Sequence, residues 1–294
     1  MLSPEILRQI RRLHFRAQRA VEDLLGGEYR SVFKGAGIAF EEVREYQPGD
    51  DVRAIDWNVT ARMGHPFIKR YIEERELTVL LAIDWSGSQF FGTGRQEKKD
   101  VAAEIAAVLA FSAIANNDRV GLLGFTDQVE RFIPPRKGIR HVLRLIREVL
   151  CCQPRRRKTS LKAALDFVSR VLHRRAIVFL ISDFLNEEFE APLKRTARIH
   201  DLIAVRVVDP REEDLPPAGL LELEDAETGR RLLLNTSNRQ VRKGLQEQAR
   251  MRSEALHRLA RTARFDLIDA STDGSHLDAL VRFFQQRERR LKRP

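Results

Sequence analysis

Residues 77–88 read LTVLLAIDWSGS, and the fold is decided here. From Thr78 to Ile83 the side chains are β-branched, leucine or alanine, with no polar alternation, the pattern of a strand covered on both faces. Such a strand belongs at the centre of a largely parallel sheet flanked by helices. Asp84 closes the run. Trp85, Ser86, Gly87 and Ser88 then turn the chain, along a path that glycine follows more easily than bulkier residues. In open α/β sheets ligands bind beyond the carboxyl ends of the strands, where the strand order reverses. Asp84, Ser86 and Ser88 are therefore expected to aim three oxygens into one cleft.

A second continuous apolar run, AIVFLIS over residues 176–182, also ends in an acid, Asp183. If the two strands lie side by side, both carboxylates reach the same rim. Between them Thr159 opens the helical pattern TSLKAALDFVSRVL (159–172) and offers a further hydroxyl. Two carboxylates with three hydroxyls, and no histidine or thiol nearby, form a hard oxygen-donor set suited to Mg²⁺ or Mn²⁺ rather than zinc. The carboxylates are too few for a calcium cage. A site so sparing in charge would leave its ion electrophilic, with a position open to an outside acidic group. The plainer alternative is turn and capping chemistry, since Asp or Ser after a strand, and Thr159 or Ser160 before a helix, do that work routinely.

Asp84-Trp-Ser86-Gly-Ser88 resembles the Asp-x-Ser-x-Ser signature of von Willebrand factor A domains, with Thr159 and Asp183 in the second and third motif positions. The resemblance implies a metal-ion-dependent adhesion site built from Asp84, Ser86, Ser88, Thr159 and Asp183, at which a partner's Glu or Asp completes the coordination. Upstream, REYQPGDDVRAIDW at 44–57 resembles the hallmark of the "domain of unknown function 58" family of bacterial proteins, whose genes usually neighbour MoxR-type AAA+ ATPases. That likeness runs from about Val21 to about Phe284. It implies a MoxR-type ATPase, with other A-domain proteins, as the partner system, in chaperone-like assembly or maturation. Many relatives carry amino-terminal membrane helices, so this chain resembles a short form.

Two other functional classes compete. A metal-dependent phosphatase could use Asp84 as nucleophile, but such enzymes resemble Asp-x-Asp at this turn, and the sequence offers no evident lysine for their second motif. A Gly-rich phosphate loop followed by Lys-Ser or Lys-Thr is absent, which argues against ATP hydrolysis by this chain. Nucleic-acid binding is raised by the net charge of +10, from 52 Lys plus Arg against 42 Asp plus Glu. The basic residues cluster at 155–158 and 287–293. No aromatic platform or DNA-reading helix accompanies them, and a charge run is usually a solvated face. Nucleic acid is not the expected partner, and no catalytic constellation stands out.

In chain order, Ser3 and Pro4 begin an amphipathic helix expected to end at Gly26. Residues 27–75 read as a small β-rich appendage, with short apolar pieces GIAF, AIDW and PFIKRYI between Gly and Pro. Arg44, Arg53, Asp56, Trp57 and Arg62 are expected to brace it against the main domain by ion pairs and cation–π contacts. His65 after its turn reads as structural. Residues 76–286 then give strand, helix, hairpin, helix, strand, helix, strand, helix, strand, with an inserted β-hairpin at about 217–236 and Ser237 capping the long helix after it. The expected fold is a doubly wound, mostly parallel six-stranded sheet of the von Willebrand factor A or Rossmann-like kind, ending in a basic tail at 287–294.

Cys151 and Cys152 are adjacent and match no zinc spacing, so a reducing cytoplasm is the simplest setting. The longest apolar stretches, such as 105–115, fall short of the roughly 20 residues of a membrane helix. A cytoplasmic protein is expected, any attachment to the inner membrane coming through partners.

Overall fold

The computed structural model of the protein describes residues 12, 13, 15–17, 39–72, 76–186 and 188–292. The expected amino-terminal helix lies largely outside them. The chain divides into two compact units, Phe33–Leu77 and the remainder.

The smaller unit pairs β1 (Ala39–Glu45) with β2 (Phe67–Ile72) in an antiparallel ribbon. Between them the chain does not stay extended. Asp56 accepts the N–H groups of Asn58 and Val59 and so starts a short helix, α1 (Trp57–Met63), which Gly64 ends in the left-handed conformation. AIDW, expected as a strand piece, is thus a bridge residue, Ile55, followed by a helix cap. The Arg44 guanidinium grips Asp50 with both nitrogens, at 2.9 and 2.7 Å, within the unit itself. Trp57 is 70% exposed. His65 joins the Met63 carbonyl to the Glu45 carboxylate at the surface.

The larger unit begins with β3 (Thr78–Asp84), wholly buried from Val79 onward. Helix α2 (Lys98–Ala115) follows, then β4 (Arg119–Phe125) and β5 (Val129–Arg136). Next come α3 (Ile139–Leu150), α4 (Leu161–Val171), β6 (Ile177–Ser182), α5 (Glu190–Ile199) and β7 (Asp201–Val208). A one-turn helix α6 (Pro210–Glu213) leads to the hairpin β8 (Leu220–Glu224) and β9 (Arg231–Asn235). The chain finishes with α7 (Arg239–Ala263), β10 (Asp266–Ser271) and α8 (His276–Lys292).

The main sheet has the order β10-β7-β6-β3-β4-β5, parallel except for the β4–β5 edge hairpin. This is the doubly wound α/β arrangement expected, of the von Willebrand factor A and Rossmann-like kind. Its order reverses between β3 and β6. Alternation along β3 sends Leu80 and Ala82 into a core shared with Leu165 and Val168 of α4, Leu193 of α5 and Leu256 of α7. The other face is covered by α2, which is buried nearly all round because α3 and α8 also pack on it.

Two boundaries depart from expectation. Asn238, not Ser237, caps α7, its side chain accepting the N–H of Gln240. The expected basic tail is mostly helix, α8 continuing to Lys292, because Arg287 pairs with Asp201 and Asp266 and Arg290 with Asp266. These pairs tie the last turns to the sheet edge. Among the described residues no helix is long and apolar enough to cross a membrane.

Candidate functional site

β3 and β6 are in register from Val79↔Ile177 to Ile83↔Ile181, so their ends coincide. Asp84 therefore stands opposite Ser182, and Asp183 is the next residue on. Ser182 Oγ donates to Asp84 Oδ2 at 2.6 Å, and the Ser86 amide donates to Asp84 Oδ1 at 2.9 Å. The Ser86 and Ser88 hydroxyls are 3.0 Å apart. Asp84 and Ser86 are fully buried and Ser88 half-buried.

Thr159 is brought in by hydrogen bonds between loops. The Gly87 amide donates to the Arg157 carbonyl at 2.7 Å, joining the Ser86–Ser88 turn to the segment before α4. Asn186, in the loop after Asp183, donates through Nδ2 to the Thr159 carbonyl at 2.7 Å. Capping falls to Ser160, whose hydroxyl accepts the Ala163 amide, so the Thr159 hydroxyl is released from that duty. The fold thus gathers Asp84, Ser86, Ser88, Thr159 and Asp183 at one rim, the switch point of the sheet. Phe184, directly after Asp183, holds φ at 56°, a region costly for a residue with a β-carbon, and its buried ring packs edge-on against Phe189.

The two acids differ electrically. Asp183 Oδ2 accepts from Lys98 Nζ at 2.9 Å, and the same ammonium reaches Glu212 Oε1 at 2.6 Å. Burial alone would lower the pKa of Lys98, but the two carboxylates outweigh it and raise it. Asp84 has no cationic partner among the described residues. Burial, and then the charge of Asp183, push its carboxyl up to about 7, against the hydrogen bonds from Ser182 and Ser86.

A hard divalent cation, implied by the resemblance, fits such a donor set. Asp84 offers a buried carboxyl with no cationic partner among the described residues, and Ser86, Ser88 and Thr159 offer hydroxyl oxygens of the kind Mg²⁺ accepts. Among the described residues no three His, Cys, Asp or Glu side chains are disposed to hold a metal by themselves. An ion here would depend on the hydroxyls.

Four residues escaped the sequence reading. Lys98 is fully buried, and the helical spacing Lys98, Ala102, Ile105, Leu109 would have placed it on the covered stripe. Glu227, at the tip of the β8–β9 hairpin, accepts the Thr159 hydroxyl at 2.5 Å and its amide at 3.3 Å, and no local pattern announces that. Asp209, after β7, accepts from the Thr93 amide and hydroxyl, the Thr272 hydroxyl and the Arg211 amide, which pins the loop beyond Ser88 to the ends of β7 and β10. Burial opposes its ionisation, but these four donors win and hold its carboxyl below the usual range. Gln89 lines a recess of about 60 Å³ behind Asp84, room for a few water molecules to meet its amide and Trp85 Nε1.

Cys151 and Cys152 are unpaired and half-buried at the end of α3, and burial pushes the Cys152 thiol up to about 12, which suits packing rather than reactivity. Arg156 pairs with Asp127, so part of the basic run is locally neutralised.

The architecture is that of a doubly wound α/β domain of the von Willebrand factor A or Rossmann-like kind. The chain belongs to the family described as "Protein of unknown function DUF58", whose profile matches residues 42–255. It is 33% identical to the uncharacterized protein Rv1480 of Mycobacterium tuberculosis over 97% of this chain and 91% of that one. The same figures hold for the uncharacterized protein Mb1516 of Mycobacterium bovis. Among solved structures, the conserved hypothetical protein BatB of Bacteroides thetaiotaomicron aligns over 72% of this chain and 99% of that one, at 15% identity and a TM-score of 0.49. The SpRpn10 VWA domain aligns over 70% and 94%, at 11% identity and a TM-score of 0.41.

Proposed function

We propose that the protein is a non-catalytic interaction module that binds a divalent metal, Mg²⁺ or Mn²⁺, at Asp84, Ser86, Ser88, Thr159 and Asp183 and docks a partner's carboxylate there. The observation that carries this reading is Asp84: a buried carboxylate with no cationic partner among the described residues, set beside the converging hydroxyls of Ser86 and Ser88. A buried carboxylate charge costs several kcal/mol unless a proton or a cation neutralises it, and burial already favours the proton on Asp84. A bound ion would supply that neutralisation, together with a coordination position for an outside oxygen. The chain's own residues do the rest. Ser182 and the Ser86 amide orient Asp84, Lys98 holds Asp183, and Asn186 ties Thr159 to the loop beyond β6.

The partner we infer is a MoxR-type AAA+ ATPase, with other von Willebrand factor A-domain proteins, in chaperone-like assembly or maturation in the bacterial cytoplasm. Support comes from family membership and from the gene neighbourhood usual in that family. Pull-down of the ATPase from the same organism tests it. Capture that falls on chelation and in Asp84→Ala supports metal-mediated docking; capture indifferent to both contradicts it.

One observation favours a second reading, a metal-dependent phosphatase: a buried lysine, Lys98, does stand beside an acid of the rim. Its ammonium is engaged by Asp183 and Glu212 rather than by Asp84. Asp84-dependent turnover of p-nitrophenyl phosphate would favour that reading.

A further inference from the structure

The tip of the β8–β9 hairpin is shaped to present one side chain. Asp225 accepts the amides of Glu227 and Thr228, and Gly229 turns the chain at φ 69°. Glu227, thus held out, places its carboxylate on Thr159, Oε1 taking the hydroxyl and Oε2 the amide. Beside it the Ala226 carbonyl presses on Gly87 so closely that a β-carbon there would overlap it. An acid of the chain itself therefore sits on a hydroxyl of the candidate site, its backbone against the Ser86–Ser88 turn. The hairpin has little other anchorage. It is a separate two-stranded sheet, a form marginal on its own, and Leu220, Leu232 and Leu233 on it are exposed. Next to its tip opens a recess of about 590 Å³, bounded by Gly87, Phe90, Arg156, Arg157 and Ala226. Two guanidinium-bearing residues thus border the approach to the Glu227 contact.

We propose that Glu227 is a built-in carboxylate ligand of the site, and that the hairpin tip is a displaceable cover which an acidic segment of a partner must lift. The proposal rests on the carboxylate-docking reading above. Arg157, beside an Arg156 already paired with Asp127, attracts the incoming acids, and the bonds from Thr159 to Glu227 set the resistance that those acids overcome. The partner this fits is a chain bearing several acidic residues in an extended or loop segment, able to exchange one of them for Glu227.

The test uses the full chain, Glu227→Gln and Glu227→Ala, with thermal unfolding to verify that each variant is folded. The probe is a fluorescein-labelled hexaglutamate peptide with Mg²⁺, followed by anisotropy, and Mg²⁺ alone is titrated separately by calorimetry. A tip open about a tenth of the time lowers apparent affinity roughly tenfold, so both variants should bind the peptide about tenfold more tightly than the parent. Adding Asp84→Ala to Glu227→Gln should abolish the gain. Unchanged peptide affinity in both variants, with Asp84-dependent Mg²⁺ binding intact, overturns the cover and leaves the docking site standing. A gain that survives Asp84→Ala places the peptide on the arginines alone and also overturns the cover. Absence of Mg²⁺ binding from parent and variants alike overturns both readings.

Discussion

Lys98 Nζ lies 2.9 Å from Asp183 Oδ2, across 85 residues of sequence, so a fully buried ammonium neutralises one of the two acids at the switch point and leaves the other. The asymmetry makes Asp183 a structural as well as a candidate ligand position. It leaves Asp84 as the group whose charge an added cation would answer.

Replacing one member of a buried ion pair strands the other. Lys98→Met removes the counter-charge of both Asp183 and Glu212, and is expected to destabilise the fold by about 3–5 kcal/mol. Urea unfolding at neutral pH measures this. Adding Asp183→Asn should recover part of the loss, because it removes one stranded charge.

Gly124 on β4 faces the indole of Trp85, and a β-carbon there would overlap the ring. Gly124→Ala must push Trp85 aside, and with it the turn that carries Ser86 and Ser88. Overpacking of this kind costs about 1–3 kcal/mol. The expected outcome is a lower unfolding midpoint with a changed tryptophan emission spectrum.

Glu104 in α2 binds the buried His276 of α8 at 2.6 Å and also Arg16. Burial opposes its ionisation, but these hydrogen bonds and charges win and lower its carboxyl from 4.5 to about 2. A depressed folded pKa gives stability that is complete above about 4.5 and is lost as pH falls toward 2. The stability difference between the parent and Glu104→Gln should therefore shrink as pH is lowered through that window. Denaturation midpoints across it check this; a constant difference would contradict it.

The sheet was legible because burial on both faces writes itself into continuous apolar runs. Thr78–Ile83 and Ala176–Ser182 could be read as central strands from local sequence, whereas the acids after them share one rim only because the two strands pair side by side. Side chains that act far from their own element were less legible. Lys98 resembles its neighbour Lys99, and only helical phase separates the buried one from the exposed one. Glu227 sits on an ordinary polar turn, and its reach to Thr159 is a product of tertiary folding. Asp56 and Gly64 do mark a helix start and stop around WNVTARM, but one short helix among Gly- and Pro-punctuated pieces reads easily as a strand fragment. The charges of α8 read as a tail because their partners, Asp201 and Asp266, lie on two strands distant in sequence.

Mg²⁺ titration of the chelator-treated protein by calorimetry, run beside Asp84→Ala, bears most directly on the rim as an ion-binding centre. Saturable binding near one ion per chain, lost in Asp84→Ala while the variant stays folded, is the result predicted. Absence of binding in the parent, or binding undiminished by loss of the Asp84 carboxylate, would contradict it.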